Sequence, residues 1–323
     1  MPSRDIHVVG SSAGGVEALK RLVSDLPSDF PASLLIVQHL SPSSIGVLPA
    51  ILERMANVPV QHAVDGAPLQ RGHIYVAPPD QHLILEPGKM RVVSGPKENR
   101  HRPAVDPLFR SAAWSYGPRV VGTVLTGTLD DGTAGLWAIK EQHGIAVVQD
   151  PSDATYPSMP QSALSNVRVD HRLPLKEIGS LLNRLARQDV ALPAPRDERM
   201  RTETEFDMLK RDIKSMSELG TPSGFTCPEC NGALWEIRDG ELYRYRCHVG
   251  HAFSADTLLQ GQGEQIEAAL FSAIRALEEK AALLRRLIAR YGSDLQAHDR
   301  EMRAQELDRA AEAIRRLLRA GSE

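Results

Sequence analysis

The sequence predicts an α/β fold: a doubly wound, mainly parallel sheet in a Rossmann-like three-layer arrangement, with an added antiparallel hairpin. The first sign is the alternation of short apolar runs with amphipathic segments over residues 5–190. A second is that all three cysteines fall between Cys227 and Cys247, which predicts a small metal-bound ribbon after this domain. A third is the near-heptad spacing of apolar residues at 266, 270, 274, 277, 281, 284 and 288, which predicts a helical end. The expected division is a catalytic domain over 1–190, a charged linker over 191–222, a zinc-ribbon-like module over 223–260 and a helical hairpin or coiled coil over 261–323.

The first strand, Ile6-His7-Val8-Val9, runs into Gly10-Ser11-Ser12-Ala13-Gly14-Gly15, and a helix follows at once. Ser33-Leu34-Leu35-Ile36-Val37-Gln38-His39 is almost continuously apolar, as a strand buried on both faces should be. Residues 45–55 offer a helix. Short strands are expected over 73–77, 81–85 and 89–93. The Pro78-Pro79-Asp80 and Glu86-Pro87-Gly88 breaks between them predict antiparallel hairpins. A helix over 105–114, a buried strand over 120–126, a helix over 133–142 and a strand over 145–149 complete the alternation. Beyond Arg187, prolines and dense charge read as the linker, with part of it open to a helix. Gly292 is expected to break the long helix before a second one over 299–319, whose inner face would carry Leu307, Ala310, Ile314 and Leu317.

The 323 residues carry a formal net charge of −3, which argues against broad nucleic-acid binding. No apolar run approaches the ~20 residues of a membrane span, and no secretory signal is visible, so a cytoplasmic protein without membrane insertion is expected.

Three polar positions share one address. Ser12 follows the first strand, His39 ends the second, and an Asp130-Asp131 pair follows the strand over 120–126. The carboxyl ends of parallel strands form one edge of a sheet, where sites assemble. A serine, a histidine and an aspartate at that edge can form a triad: nucleophile, general base and orienting carboxylate. Backbone N–H groups of the Ser12 turn and of the 127–131 loop are candidates for the oxyanion hole. Spacing alone leaves Asp130 and Asp131 both open. A dinucleotide site would want glycine where Ser12 stands and an acid where His39 stands. An ordinary α/β-hydrolase would order its triad Ser, Asp, His.

Several stretches together resemble a known family: Val9-Gly10-Ser11-Ser12-Ala13-Gly14-Gly15, Val37-Gln38-His39, Asn99-Arg100-His101-Arg102-Pro103-Ala104-Val105-Asp106, Leu125-Thr126-Gly127-Thr128-Leu129-Asp130-Asp131-Gly132 and Tyr156-Pro157-Ser158-Met159-Pro160. They look like the catalytic domain of chemotaxis protein-glutamate methylesterases, the CheB family, over residues 5–190. The resemblance implies hydrolysis of γ-glutamyl methyl esters on methylated chemoreceptors or other chemosensory proteins, together with glutamine deamidation, and no cofactor for catalysis. It makes Ser12 the nucleophile, His39 the base and Asp131 the third member. Ala13, His101, Arg102, Thr128 and Met159 would bind substrate. Ala13 and Ala104 stand where hydroxyl residues are common in the family, and Thr128 where methionine is frequent. Family members commonly carry a phosphoreceiver domain ahead of this one. With the catalytic strand starting at residue 5, activity is expected not to respond to phosphorylation of the chain itself. The alternative is a catalytically silent adaptor of the same fold.

Cys227-Pro228-Glu229-Cys230, followed after sixteen residues by Cys247-His248-Val249-Gly250-His251, has zinc-ribbon spacing. Cys227, Cys230, Cys247 and His251 are the expected ligands of a structural zinc. Strands over 235–237 and 242–246 with an Asp239-Gly240 turn would join the two knuckles. The ribbon is expected to be separable, so that Cys230→Ser leaves the first domain active. The helical tail is expected to target or self-associate the enzyme.

Overall fold

A computed structural model describes residues 2–190, 197–210, 216–291 and 294–320. Seven strands form one parallel sheet: β1 (Ile6–Ser11), β2 (Ser33–Gln38), β3 (Val60–His62), β4 (His73–Val76), β7 (Val120–Val124), β8 (Ile145–Gln149) and β9 (His171–Leu173). Their order is β3-β4-β2-β1-β7-β8-β9, and every pairing is parallel. The chain leaves β1 toward β2 on one side and later returns to β7 on the other. The carboxyl end of β1 is therefore the switch point of the sheet, where a crevice opens.

Alternation along each strand builds the two outer layers. Val8, Leu35, Val37, Val120 and Val124 face a core made with α3 (Val105–Tyr116), α4 (Thr133–Glu141) and α5 (Ser158–Asn166), through Leu108, Phe109, Leu136 and Ala163. Val9, Leu34, Ile36 and Val121 face the opposite core, made with α1 (Gly15–Ser24), α2 (Leu48–Glu53) and α6 (Leu175–Ala186), through Leu19, Leu22, Leu52 and Leu182.

Three expectations are corrected. The strand over 73–77 is not half of a hairpin: β4 pairs in parallel with β2 and β3, and only β5 (His82–Glu86) and β6 (Lys89–Val93) form the antiparallel hairpin. Ile74, Tyr75 and Val76 are buried on both sheet faces, and the two prolines after them end a strand without turning it back. The helix over 45–55 is trimmed to α2, because Gly46 takes a left-handed φ of 70° and a proline sits in the first turn. The described part of the charged stretch is not a free linker. Residues 198–207 form helix α7 (Glu198–Asp207), which buries Met200, Glu203, Phe206 and Asp207.

Helix α8 (Met216–Leu219) follows α7 and leads into a four-stranded antiparallel sheet, β10 (Thr221–Thr226), β11 (Ala233–Asp239), β12 (Leu242–Cys247) and β13 (Ala252–Ser254). The sheet has a small core on each side: Cys227, Leu234, Cys247, Phe253 and Leu258 on one, and Phe206, Met216, Leu219 and Ile237 on the other. The second core joins the ribbon to α7 and α8.

Residues 1–258 form one compact unit and 259–323 a second. Within the second, the C-terminal part of α9 (Ala255–Tyr291) packs on α10 (Asp294–Ala320), with Ile274, Ala281, Ala304 and Ala311 buried between them. Arg285 bridges to Asp308 at 2.6 Å, and Arg315 pairs with Glu278. The predicted seam of α9 runs as expected apart from Ile266, which is 62% exposed. On α10 the inner face is Ala304, Leu307, Ala311, Ile314 and Leu318, so Ala310 and Leu317 point outward. Gly292 lies outside the described residues.

Candidate active site and metal centre

The three polar positions meet at the switch point. Ser12 follows β1, His39 follows β2 and Asp131 lies in the loop after β7, so three adjacent strands deliver them to one edge. Ser12 Oγ lies 3.1 Å from His39 Nδ1, and His39 Nε2 lies 2.7 Å from Asp131 Oδ2. A carboxylate can only accept, so Nε2 carries the proton and Nδ1 turns its lone pair to the Ser12 hydroxyl.

Asp131 accepts five hydrogen bonds, from His39 Nε2, Asn99 Nδ2 and the backbone N–H groups of Val105, Asp106 and Gly132. Val105 and Asp106 begin α3 and Gly132 caps α4, so two helix N-termini point at one carboxylate. Burial by itself would raise its pKa, but the His39 contact, the Val105 N–H and Asn99 outweigh burial and hold it well below the ordinary carboxylate range. Asp106, beside it, shows the opposite result: burial, then the charges of Asp131 and Glu98, push it well above that range. Asp130 has no contact with His39 of this kind. Its Oδ1 has no hydrogen-bond partner among the described residues, and burial raises its pKa to about 6.

Gln38 fixes the other two members. Its amide donates to the carbonyls of Ser12 and His39 at 2.8 and 2.9 Å, and its oxygen accepts from Ser11. Gly127 is required for close approach: a Cβ there would stand 2.0 Å from Met159 Sδ and 2.8 Å from Ser12 Cβ.

Ala13 adjoins Ser12, and His101 stacks on His39 with ring centroids 3.7 Å apart. Burial, then repulsion by His39, lowers His101 to about 4, so this ring stays neutral beside the base. Thr128 is exposed on the loop. The other two expected substrate contacts differ. Arg102 spends its guanidinium on Asp80 and the Gly95 carbonyl, and Met159 is fully buried under Gly127. The Ser12 N–H donates to the Thr126 carbonyl and that of Gly127 to the Tyr156 carbonyl. Neither of these two is therefore free for an oxyanion, while Ala13 and Gly14 of the same turn, at the start of α1, remain as candidates. Gln38 and Asn99 escape a sequence reading because their roles depend on contacts between distant segments. Both lie in stretches that carry the family resemblance, but nothing in those stretches gives their partners.

Residues 7–182 match the family model for CheB methylesterase. The chain belongs to the CheB methylesterase family. A relative from Leptospira interrogans is 41% identical over 179 residues, covering 55% of this chain and 93% of its own length. One from Rhizobium johnstonii, named protein-glutamate methylesterase/protein-glutamine glutaminase 2, is 40% identical over 174 residues, 53% of this chain and 47% of that protein. The crystal structure of the Thermotoga maritima CheB methylesterase catalytic domain aligns with a TM-score of 0.55 at 32% identity, covering 56% of this chain and 98% of that one. It shares the parallel-sheet fold. The chain is thus a hydrolase of this family, and the ribbon and helices lie beyond the matched residues. No described helix is long and apolar enough to cross a membrane.

Cys227, Cys230, Cys247 and His251 converge with all ligand atoms within 4.8 Å of one another. Cys230 and Cys247 sulfurs are 3.7 Å apart, and His251 Nδ1 lies 3.8 and 3.6 Å from Cys227 and Cys247. A tetrahedral zinc, with about 2.3 Å to sulfur and about 2.0 Å to nitrogen, spaces its ligands roughly 3.4–3.8 Å apart. The donor set and its edges fit that ion.

Proposed function

We propose that this chain hydrolyses γ-glutamyl methyl esters of chemoreceptors or related chemosensory proteins to glutamate and methanol, and deamidates glutamine at the same site. The observation that carries the reading is the hydrogen-bonded line Ser12 Oγ, His39 Nδ1, His39 Nε2, Asp131 Oδ2 at the switch point of the sheet.

Ser12 Oγ attacks the ester carbonyl while its proton passes to His39 Nδ1. Asp131 holds the imidazole in the tautomer that can take this proton and stabilises the imidazolium that results. Collapse of the tetrahedral intermediate expels methoxide, which leaves as methanol with the proton from Nδ1. Water, deprotonated by the same nitrogen, then releases the glutamate and restores Ser12. With an amide substrate the same steps release ammonia. His101 caps His39 as a neutral ring and adds no charge against the imidazolium. An adaptor without chemistry would have no use for a carboxylate organised by five donors around a histidine.

The Cys3His group holds a structural zinc, and its chemistry is not part of the hydrolysis. The helical tail serves targeting or self-association.

The test is release of labelled methanol from methyl-labelled receptor. Purified chain is expected to release it, and Ser12→Ala to lower the rate by about four to six orders of magnitude with unchanged circular dichroism. Near wild-type turnover in Ser12→Ala removes Ser12 from the mechanism.

A further inference from the structure

The ribbon meets the site at Asn99. This side chain is 3% exposed and uses all of its hydrogen-bonding capacity. Its Nδ2 donates to Asp131 Oδ1 at 3.0 Å and to Asp106 Oδ2 at 2.9 Å. Its Oδ1 accepts from the Ser254 N–H at 2.9 Å and the Thr257 hydroxyl at 3.2 Å. The orientation of the amide is forced, because reversing it would set a carbonyl against the Asp131 carboxylate and an NH2 against the Ser254 backbone N–H. One half of Asn99 thus serves the Asp131 carboxylate and the other is held by the end of β13 and the first turn of α9.

That strand begins at the residue after His251. The Asn99 N–H donates to the Ala252 carbonyl at 2.8 Å, the Ala252 N–H to Lys97 at 3.2 Å, and the Cys247 N–H to His251 at 2.9 Å. Lys97 also pairs with Glu229, between the first two cysteines, at 3.6 Å. On the other side, β12 ends at Cys247 and delivers Arg246 to Glu98, next to Asn99, at 3.0 Å. Cys227 and Cys247 are themselves members of a five-residue core. A core this small holds its side of the sheet only weakly without the metal.

We infer that the metal-bound ribbon is a positioning device for Asp131, acting through Asn99, so that loss of the metal lowers the hydrolase rate. The inference rests on the triad reading above. Asn99 and Thr257 are positioning residues, because they reach the base only through Asp131.

The experiment uses the full chain, zinc-loaded and zinc-stripped by chelation, with zinc counted by elemental analysis. Turnover of p-nitrophenyl acetate and the downfield proton resonance of the His39–Asp131 hydrogen bond are both read. Stripping is expected to lower kcat about 10- to 100-fold with KM within about twofold, to abolish the resonance, and to reverse on adding zinc. Asn99→Ala with zinc bound should show a similar loss and little further loss on stripping, since both act on one path. Thr257→Val should give a smaller loss and Thr257→Ser recover it, and this pair carries the test if Asn99→Ala does not fold. Stripped protein that keeps both kcat and the resonance overturns the inference, as do losses from stripping and Asn99→Ala that multiply. If loaded wild type cleaves no ester, the triad reading fails and the resonance alone decides whether the ribbon holds Asp131.

Discussion

A carboxylate that receives N–H groups from two helix starts, an amide and an imidazole is stabilised in its ionised form, so its pKa lies well below the ordinary carboxylate range. Asp131→Asn should therefore do more than remove a charge, because its NH2 would face N–H groups and favour the wrong tautomer of His39. A fall in kcat of about 10³- to 10⁴-fold is expected, against a few-fold for Asp130→Asn, measured on the same ester; equal losses would reject Asp131 as the orienting acid. His7 offers a stability test at the same scale. Its Nδ1 is buried without a partner among the described residues, and burial lowers its pKa to about 4. An unfolded histidine takes its proton near 6.5. Between these values the unfolded chain binds more protons, so stability present at neutral pH declines as pH falls from about 6.5 to about 4, by up to about 3 kcal/mol from this group. Urea unfolding at pH 7 and 4.5 should show a smaller difference in His7→Leu than in wild type. Ser12 and His39 were legible in the sequence because each ends an apolar strand. Asn99 was not, since its partners lie up to 158 positions away.

At the scale of elements, the dense charge after residue 196 pairs inward. Arg110 of α3 contacts Glu98 at 2.7 Å and Asp207 of α7 at 2.6 Å, Arg246 of β12 contacts Asp207 at 2.9 Å, and Arg244 contacts Glu203 at 2.7 Å. All of these side chains are at most 7% exposed. Burial would raise Glu98 and Glu203, but the arginines outweigh it and lower both. A linear reading sees only a run of acids and bases, because the partners of α7 stand 97 residues before it and 39 to 41 residues after it. The three-residue strands β3 and β9 were equally invisible, being too short to show a period. Removing one member strands its partners as buried charge, so Arg246→Met is expected to cost about 3–5 kcal/mol in chemical denaturation. A cost under about 1 kcal/mol would mean that the cluster is wet or loosely packed.

For the molecule as a whole, the sequence divides where composition changes, at about 190, whereas the structure divides at 258. The difference has a physical cause. Composition reports local preference, but Glu98 and Arg110 acquire their partners only from α7 and β12. The turn of Asp239–Gly240 also rests on α4, with Trp137 Nε1 3.4 Å from where a Gly240 Cβ would sit. A chain ending at residue 270 keeps every one of these contacts, together with Ser254 and Thr257 on Asn99. A chain ending at 190 loses them all and exposes carboxylates built to face arginine. Small-ester kcat is accordingly expected to stay within about twofold for 1–270 and to fall at least tenfold for 1–190, with a lower melting temperature. The helices beyond residue 258 leave Phe271 and Leu317 more than half exposed. Their removal should show in receptor turnover or in mass by light scattering, and not in the small-ester rate. Full small-ester activity and unchanged melting in 1–190 would restore the modular division and leave the ribbon an appendage.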